Sequence, residues 1–185
     1  MGTLIVVGVA ALIILVIIGL YNSLVTARNR VDNAWSQIDV QLKRRHDLIP
    51  NLVEVCKGYM KYEQSVLESV TKARQQAVQV SGGSVQDRAQ AESILTGALR
   101  QLFAVAENYP DLKANQNMLA LQEELTATEN RIAFARQHYN DSVMRYNIQI
   151  QQFPANLLAS SFGFQPRAFF ELTDPTQREP VQVQF

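Results

Sequence analysis

The chain has 185 residues with 17 basic and 17 acidic side chains, so it carries no net formal charge. With no global basic field it has little to draw nucleic acid, and a single cysteine excludes an intrachain disulfide or a cysteine-rich metal cage. Its 19 Gln and 11 Asn nearly equal the charged residues in number. Amide-bearing helix faces lose less than charged ones on packing against a neighbour, so this bias fits either a plain solvated face or lateral assembly.

No charged side chain precedes Arg28, and Leu4 to Leu20 contains no polar side chain. As a helix, Met1 to Tyr21 covers roughly 30 Å, the thickness of a bilayer's hydrocarbon core. Residues 1–23 therefore read as a transmembrane anchor. Leu4, Ile5, Leu12, Ile13, Ile14, Leu15, Ile17, Ile18 and Leu20 would sit in lipid, with Tyr21 at the interface. A cleaved signal would need a basic stretch before the apolar run, and a core helix would keep a polar stripe. Arg28 and Arg30 flank the span, followed by Lys43, Arg44 and Arg45. By the positive-inside rule the N-terminus lies outside and the rest in the cytoplasm. Asp32, Asp39 and Asp47 are interspersed, which keeps the opposite orientation, with an external bundle, as the alternative.

Beyond the span the apolar period is helical. Leu24, Val31 and Ile38, then Leu52, Tyr59, Val66 and Ala73, recur every seven residues, with Ala34, Leu42, Leu48, Val55, Tyr62 and Val70 between. This spacing predicts a helix from the membrane to about Val80, reaching about 80 Å if unbroken. Pro50 should kink it, and a tight turn there is the alternative. Ser81-Gly82-Gly83-Ser84 reads as a loop, and a second helix follows from Val85 to about Glu107. Asp111 is the expected N-cap of a third, marked by Met118, Leu121, Leu125, Ile132, Tyr139, Tyr146 and Ile150 and ending at Phe153-Pro154. Long helices joined by short loops pack antiparallel, which gives an all-α bundle of three to four helices over residues 24–160.

Residues 161–185 change character. Phe162, Phe164, Phe169 and Phe170 crowd together around Gly163 and Pro166, either capping the bundle end or contacting another subunit. The tail ends with Val181, Val183 and Phe185 in period-two alternation, so it is a disordered terminus or a strand added to a neighbouring chain. Tyr139-Asn140 and Tyr146-Asn147 repeat at seven residues. They could set helix register or form a docking surface for another chain.

The chain offers no Glu-x-x-His pair, no Gly-x-Ser-x-Gly elbow and no phosphate loop. No cofactor, metal or catalytic residue is expected; an enzyme would require a concave site uniting His46, His138 or Cys56 with carboxylates.

Several segments together resemble the LemA family of bacterial membrane proteins. They begin with Tyr21-Asn22, Arg28-Asn29, Asn33-Ala34-Trp35 and the run Ile38-Asp39-Val40 through Arg45-His46-Asp47-Leu48-Ile49-Pro50-Asn51-Leu52. They continue in Tyr109-Pro110-Asp111-Leu112-Lys113, Glu129-Asn130-Arg131-Ile132, Tyr139-Asn140, Tyr146-Asn147 and Phe162-Gly163-Phe164. The resemblance implies a bacterial inner-membrane protein with an N-terminal membrane helix, a helical bundle and no known catalysis. The family also looks related to a protein used in magnetosome membrane formation, which hints at membrane organisation. The expected partners are membrane lipid and copies of the same chain, with an unidentified protein partner as the alternative.

Overall fold

The structure, a computed structural model, describes residues 1–171. Among these, every regular element is a helix: α1 (Gly2–Lys57), α2 (Gln64–Gln79), α3 (Val85–Ala106), α4 (Pro110–Lys113), α5 (Gln116–Gln151) and α6 (Ala155–Ser161). The all-α class expected from the periodicity is the class observed. Val181, Val183, Phe185 and the rest of the alternating tail lie outside the described residues.

Two compact units are formed. The first comprises Met1–Ile38 and Phe134–Phe169; the second comprises Asp39–Ala133, joined by Phe170. In the first, Leu24, Val31, Ala34 and Ile38 of α1 and Tyr139, Val143, Tyr146 and Ile150 of α5 are all buried. Gln149 donates to Ser23 and Trp35 meets the Tyr139 ring at 5.2 Å, so the two stretches run antiparallel. In the second, Ile49, Leu52 and Cys56 of α1 share a core with Val70 of α2, Leu95, Leu99 and Leu102 of α3, and Leu125 of α5. Each stretch contributes one apolar stripe, so each unit closes around a core of its own.

Of three local expectations, two need correction. First, at Pro50 the tight turn weighed as the alternative to a kink is not formed, and α1 continues through it without a break. Proline has no N–H to give the carbonyl four residues earlier. That carbonyl, of His46, instead accepts from Arg74 Nε at 2.6 Å. Secondly, α1 stops at Lys57 rather than near Val80. Cys56 O accepts from the amides of Tyr59 and Met60, the chain turns, and Glu63 O starts α2 by accepting from Val66 and Leu67. Met60 fills the core at this turn, whereas Tyr62, expected on the seam, is 93% exposed. Thirdly, Asp111 lies inside the short α4, and the cap of α5 is Asn115. Its Oδ1 accepts from the amides of Asn117 at 2.9 Å and Met118 at 3.1 Å.

Candidate functional site

The first candidate lies in the first unit, where the apolar part of α1 meets the C-terminal segment. Residues 1–19 are exposed throughout, with no other described residue laid over them. Such a surface is stable only in an apolar surrounding, and its length suits a bilayer. At its end Tyr21 makes edge contacts with Phe162 at 5.1 Å and Phe164 at 5.9 Å. The guanidinium of Arg28 lies 5.2 Å above the Phe164 ring. Arg30 is exposed.

The backbone of the C-terminal segment is shaped to deliver those rings. Gly163 adopts φ +70 just past the end of α6, and the Phe164 amide reaches back to the Ala159 carbonyl at 2.9 Å. This is a glycine C-cap, and it turns Phe164 back from the helix end toward Tyr21 and Arg28. Farther on, Asn147 accepts from the Arg167 amide and donates to the Arg167 carbonyl, each at 2.9 Å. Tyr139 donates its hydroxyl to Ala168 O at 2.9 Å, and Arg167 reaches Asp32 at 3.1 Å. Burial, and to a smaller extent Asp32, raise the Tyr139 pKa against the opposing influence of Arg167, so this hydroxyl stays a donor.

Of the four aromatic residues singled out from sequence, Phe164 and Phe170 are buried, whereas Phe162 is 56% and Phe169 41% exposed. Tyr139 and Tyr146 are buried between helices. Asn147 binds the returning C-terminal segment, and Asn140 is half-buried on the same helix.

The second candidate is a buried ionic cluster in the second unit. Arg45 of α1 bonds to Glu92 of α3, to Glu129 of α5 at 2.6 Å and to Thr96 at 3.1 Å. The other oxygen of Glu92 meets His46 Nε2 at 2.8 Å. Arg45 and Glu92 are 1% and 2% exposed. Burial pushes the Glu92 carboxyl upward, but the His46 hydrogen bond and the charges of Arg45 and His46 outweigh it and hold the group below its ordinary value. At the next turn of α3, Arg88 pairs with Asp39 and binds the Ser81 carbonyl at 2.8 Å.

Sequence reading missed this cluster. A signal was present: Arg45 is in phase with Leu42, Ile49 and Leu52, and Glu92 with Leu95 and Leu99, so both charges sit on apolar stripes. The spacing cannot show that the two stripes face each other.

A cleft of ≈ 710 Å³ opens beside the end of α1 and α2, with Val53, Met60 and Leu67 at its base and Lys57, Lys61 and Lys72 around it. Neither His46 nor Glu92 lines it. Cys56 is buried in the second unit, and His138 is exposed in the first. Among the described residues no group of three or more His, Cys, Asp or Glu is placed to hold a metal ion.

These features define a helical protein whose first helix fits a membrane anchor and whose C-terminal segment is clamped to that helix where the apolar surface ends. The chain belongs to the LemA family, whose model matches residues 34–185. It is similar to magnetosome protein MamQ 2 of Paramagnetospirillum magneticum, at 26% identity over 175 residues. That match covers 82% of this chain and 64% of the relative, so the chain spans a little under two thirds of the magnetosome protein. It is also similar to protein LemA of Metamycoplasma hominis, at 28% identity with 86% and 72% covered. Magnetosome protein MamQ of Magnetospirillum gryphiswaldense matches at 25%, with 81% and 64% covered.

Proposed function

We propose that this chain is a non-enzymatic, single-pass bacterial membrane protein that assembles side by side through its helical bundle and so scaffolds or shapes the inner membrane. The observation that carries the reading is the continuity of α1, whose bare apolar stretch runs without a turn into the packed stretch Leu24–Ile38. Contacts between neighbouring units then set the angle at which neighbouring spans cross the bilayer. Gly8 and Gly19 have open space where a side chain would be, which suits close approach of spans. Similarity to magnetosome proteins supports a role at a membrane. Lateral contacts would use the exposed Phe162 and Phe169 and the tail bearing Val181, Val183 and Phe185. Repetition of one such contact yields rings or filaments according to whether the rotation closes.

Arg28, Arg30 and Lys43 on the C-terminal side of the span favour a bundle facing the cytoplasm.

Reconstitution of the full chain into vesicles and imaging by cryo-electron microscopy tests the proposal. Ordered patches or altered curvature support it, and evenly dispersed particles on unchanged vesicles reject it. Removing Thr173–Phe185 should lower the particle size if the tail contributes.

One observation favours a second reading, that of a membrane-anchored adaptor. The cleft's apolar base and its polar rim, where Glu68 stands among Lys57, Lys61 and Lys72, suit an amphipathic segment of a signalling protein or protease. This reading predicts monomers or dimers.

A further inference from the structure

From Tyr146 to Pro166 the chain has no charged side chain, the longest such stretch after the first 27 residues. It covers the last turn of α5, the turn into α6, and α6 itself. Tyr146, Ile150 and Phe164 face inward, but four of its large apolar residues do not: Phe153 is 80%, Leu157 60%, Phe162 56% and Ile148 47% exposed. Apolar side chains this prominent on a neutral turn are costly in water.

The position of this turn supplies the occupant. Gln149 donates to Ser23 at 2.7 Å, two residues past Tyr21, and Phe162 packs on Tyr21 itself. Phe153 and Leu157 therefore belong to the same end of the first unit as the last turn of the apolar span. If that span crosses a bilayer, the turn meets the headgroup and upper acyl region of the same leaflet. Charge agrees with this placement: Arg145 and Arg167 bound the stretch in sequence, the latter held by Asp32, and the cation that meets it, Arg28, lies over the buried Phe164 ring.

We infer that Phe153–Phe162 is a second membrane-contacting element, an interfacial wedge that inserts Phe153, Leu157 and Phe162 into the leaflet from which α1 emerges. This rests on the reading of α1 as a span. The lipid surface is the ligand, and insertion is driven by apolar burial rather than by attraction to anionic headgroups. Two attachments, the span and the wedge, would fix the tilt and rotation of each copy, which a lone helix leaves free.

The test uses the full chain in nanodiscs of neutral phospholipid, with single substitutions Phe153→Cys, Leu157→Cys, Leu12→Cys and Tyr62→Cys. Each is labelled with an environment-sensitive fluorophore and exposed to lipids carrying nitroxides at shallow or deep positions. The unsubstituted chain, with its buried Cys56, is the labelling blank. The expected result is loss of most emission at 153 and 157 with shallow nitroxides, at 12 with deep ones and at 62 with neither, unchanged by high salt. Quenching at 12 without quenching at 153 and 157 overturns the wedge and leaves the span intact. Absence of quenching at 12 removes the span, and the wedge with it. Label self-quenching at 153 and 157 without lipid quenching assigns the surface to a second copy and also overturns the wedge.

Discussion

Arg74 of α2 donates to the backbone carbonyl of His46 at 2.6 Å, filling the place that the missing N–H of Pro50 leaves open within α1. A side chain from a neighbouring helix thus completes the hydrogen bonding of the helix that proline interrupts. Arg74→Met removes that donor from a part-buried carbonyl and should cost about 1–3 kcal/mol. In a Pro50→Ala background the helix supplies its own donor, and the same substitution should cost clearly less. Denaturant unfolding of the four chains of this cycle in mild detergent measures the difference.

Arg45 and Glu92 form a buried pair whose energetic signature is asymmetric. Removing one partner leaves an uncompensated charge, so Arg45→Met should destabilise the chain by about 3–5 kcal/mol. Replacing both, as Arg45→Met with Glu92→Leu, should recover part of that loss, because two apolar side chains avoid the desolvation cost while buried His46 loses its Glu92 partner. The unfolding midpoints of the single and double variants provide the check.

Glu92 also gives the second unit an acid sensitivity. Its carboxyl is held below the ordinary 4.5 in the fold by His46 and Arg45, against burial. The unfolded chain therefore binds the proton more readily as the solution is acidified. The stabilisation is complete above that ordinary value and is lost as pH falls through the lower folded value. Urea midpoints of the native chain should fall across this acid range, and those of Glu92→Gln should fall less. Equal slopes would assign the acid response elsewhere.

The Cys56 thiol is pushed up to about 11 by burial. At pH 8 the folded chain should resist maleimide, and the thiol should react once denaturant opens the second unit. Mass spectrometry of native and unfolded samples follows the modification directly.

Gly163 and Asn147 hold the C-terminal segment in place by different means. Gly163→Ala forces a side chain into the left-handed region and should cost about 1–2 kcal/mol, although no atom blocks the added methyl. Asn147→Ala removes two exposed backbone bonds, at about 1 kcal/mol each or less. Hydrogen exchange at the Phe164 amide should accelerate in the first variant and at the Arg167 amide in the second.

Periodicity disclosed the stripes and hence the helical class: Leu24, Val31, Ile38 and Leu52 all proved buried. It concealed the turn after Lys57 because Leu52, Tyr59, Val66 and Ala73 keep a seven-residue phase across it. Only Gly58 interrupts the run, and a lone glycine is a weak stop signal. The aromatic segment was legible as a cluster, but its attachment to Tyr21 depends on where α5 ends. The Arg45–Glu92 pair was hidden for a related reason: each charge lies on a recognisable stripe, and only tertiary packing makes the stripes meet. The uncharged stretch from Tyr146 to Pro166 was visible in the sequence, yet it gained meaning only once Gln149 and Phe162 were placed beside Ser23 and Tyr21.

The central claim is that a membrane-anchored bundle assembles with copies of itself. Its most direct test is the mass of the full chain extracted in mild detergent, measured by size exclusion with light scattering and imaged by negative stain. The account predicts large, regular particles containing many copies. A monomer or dimer would contradict it and direct attention to a partner held in the lysine-rimmed cleft.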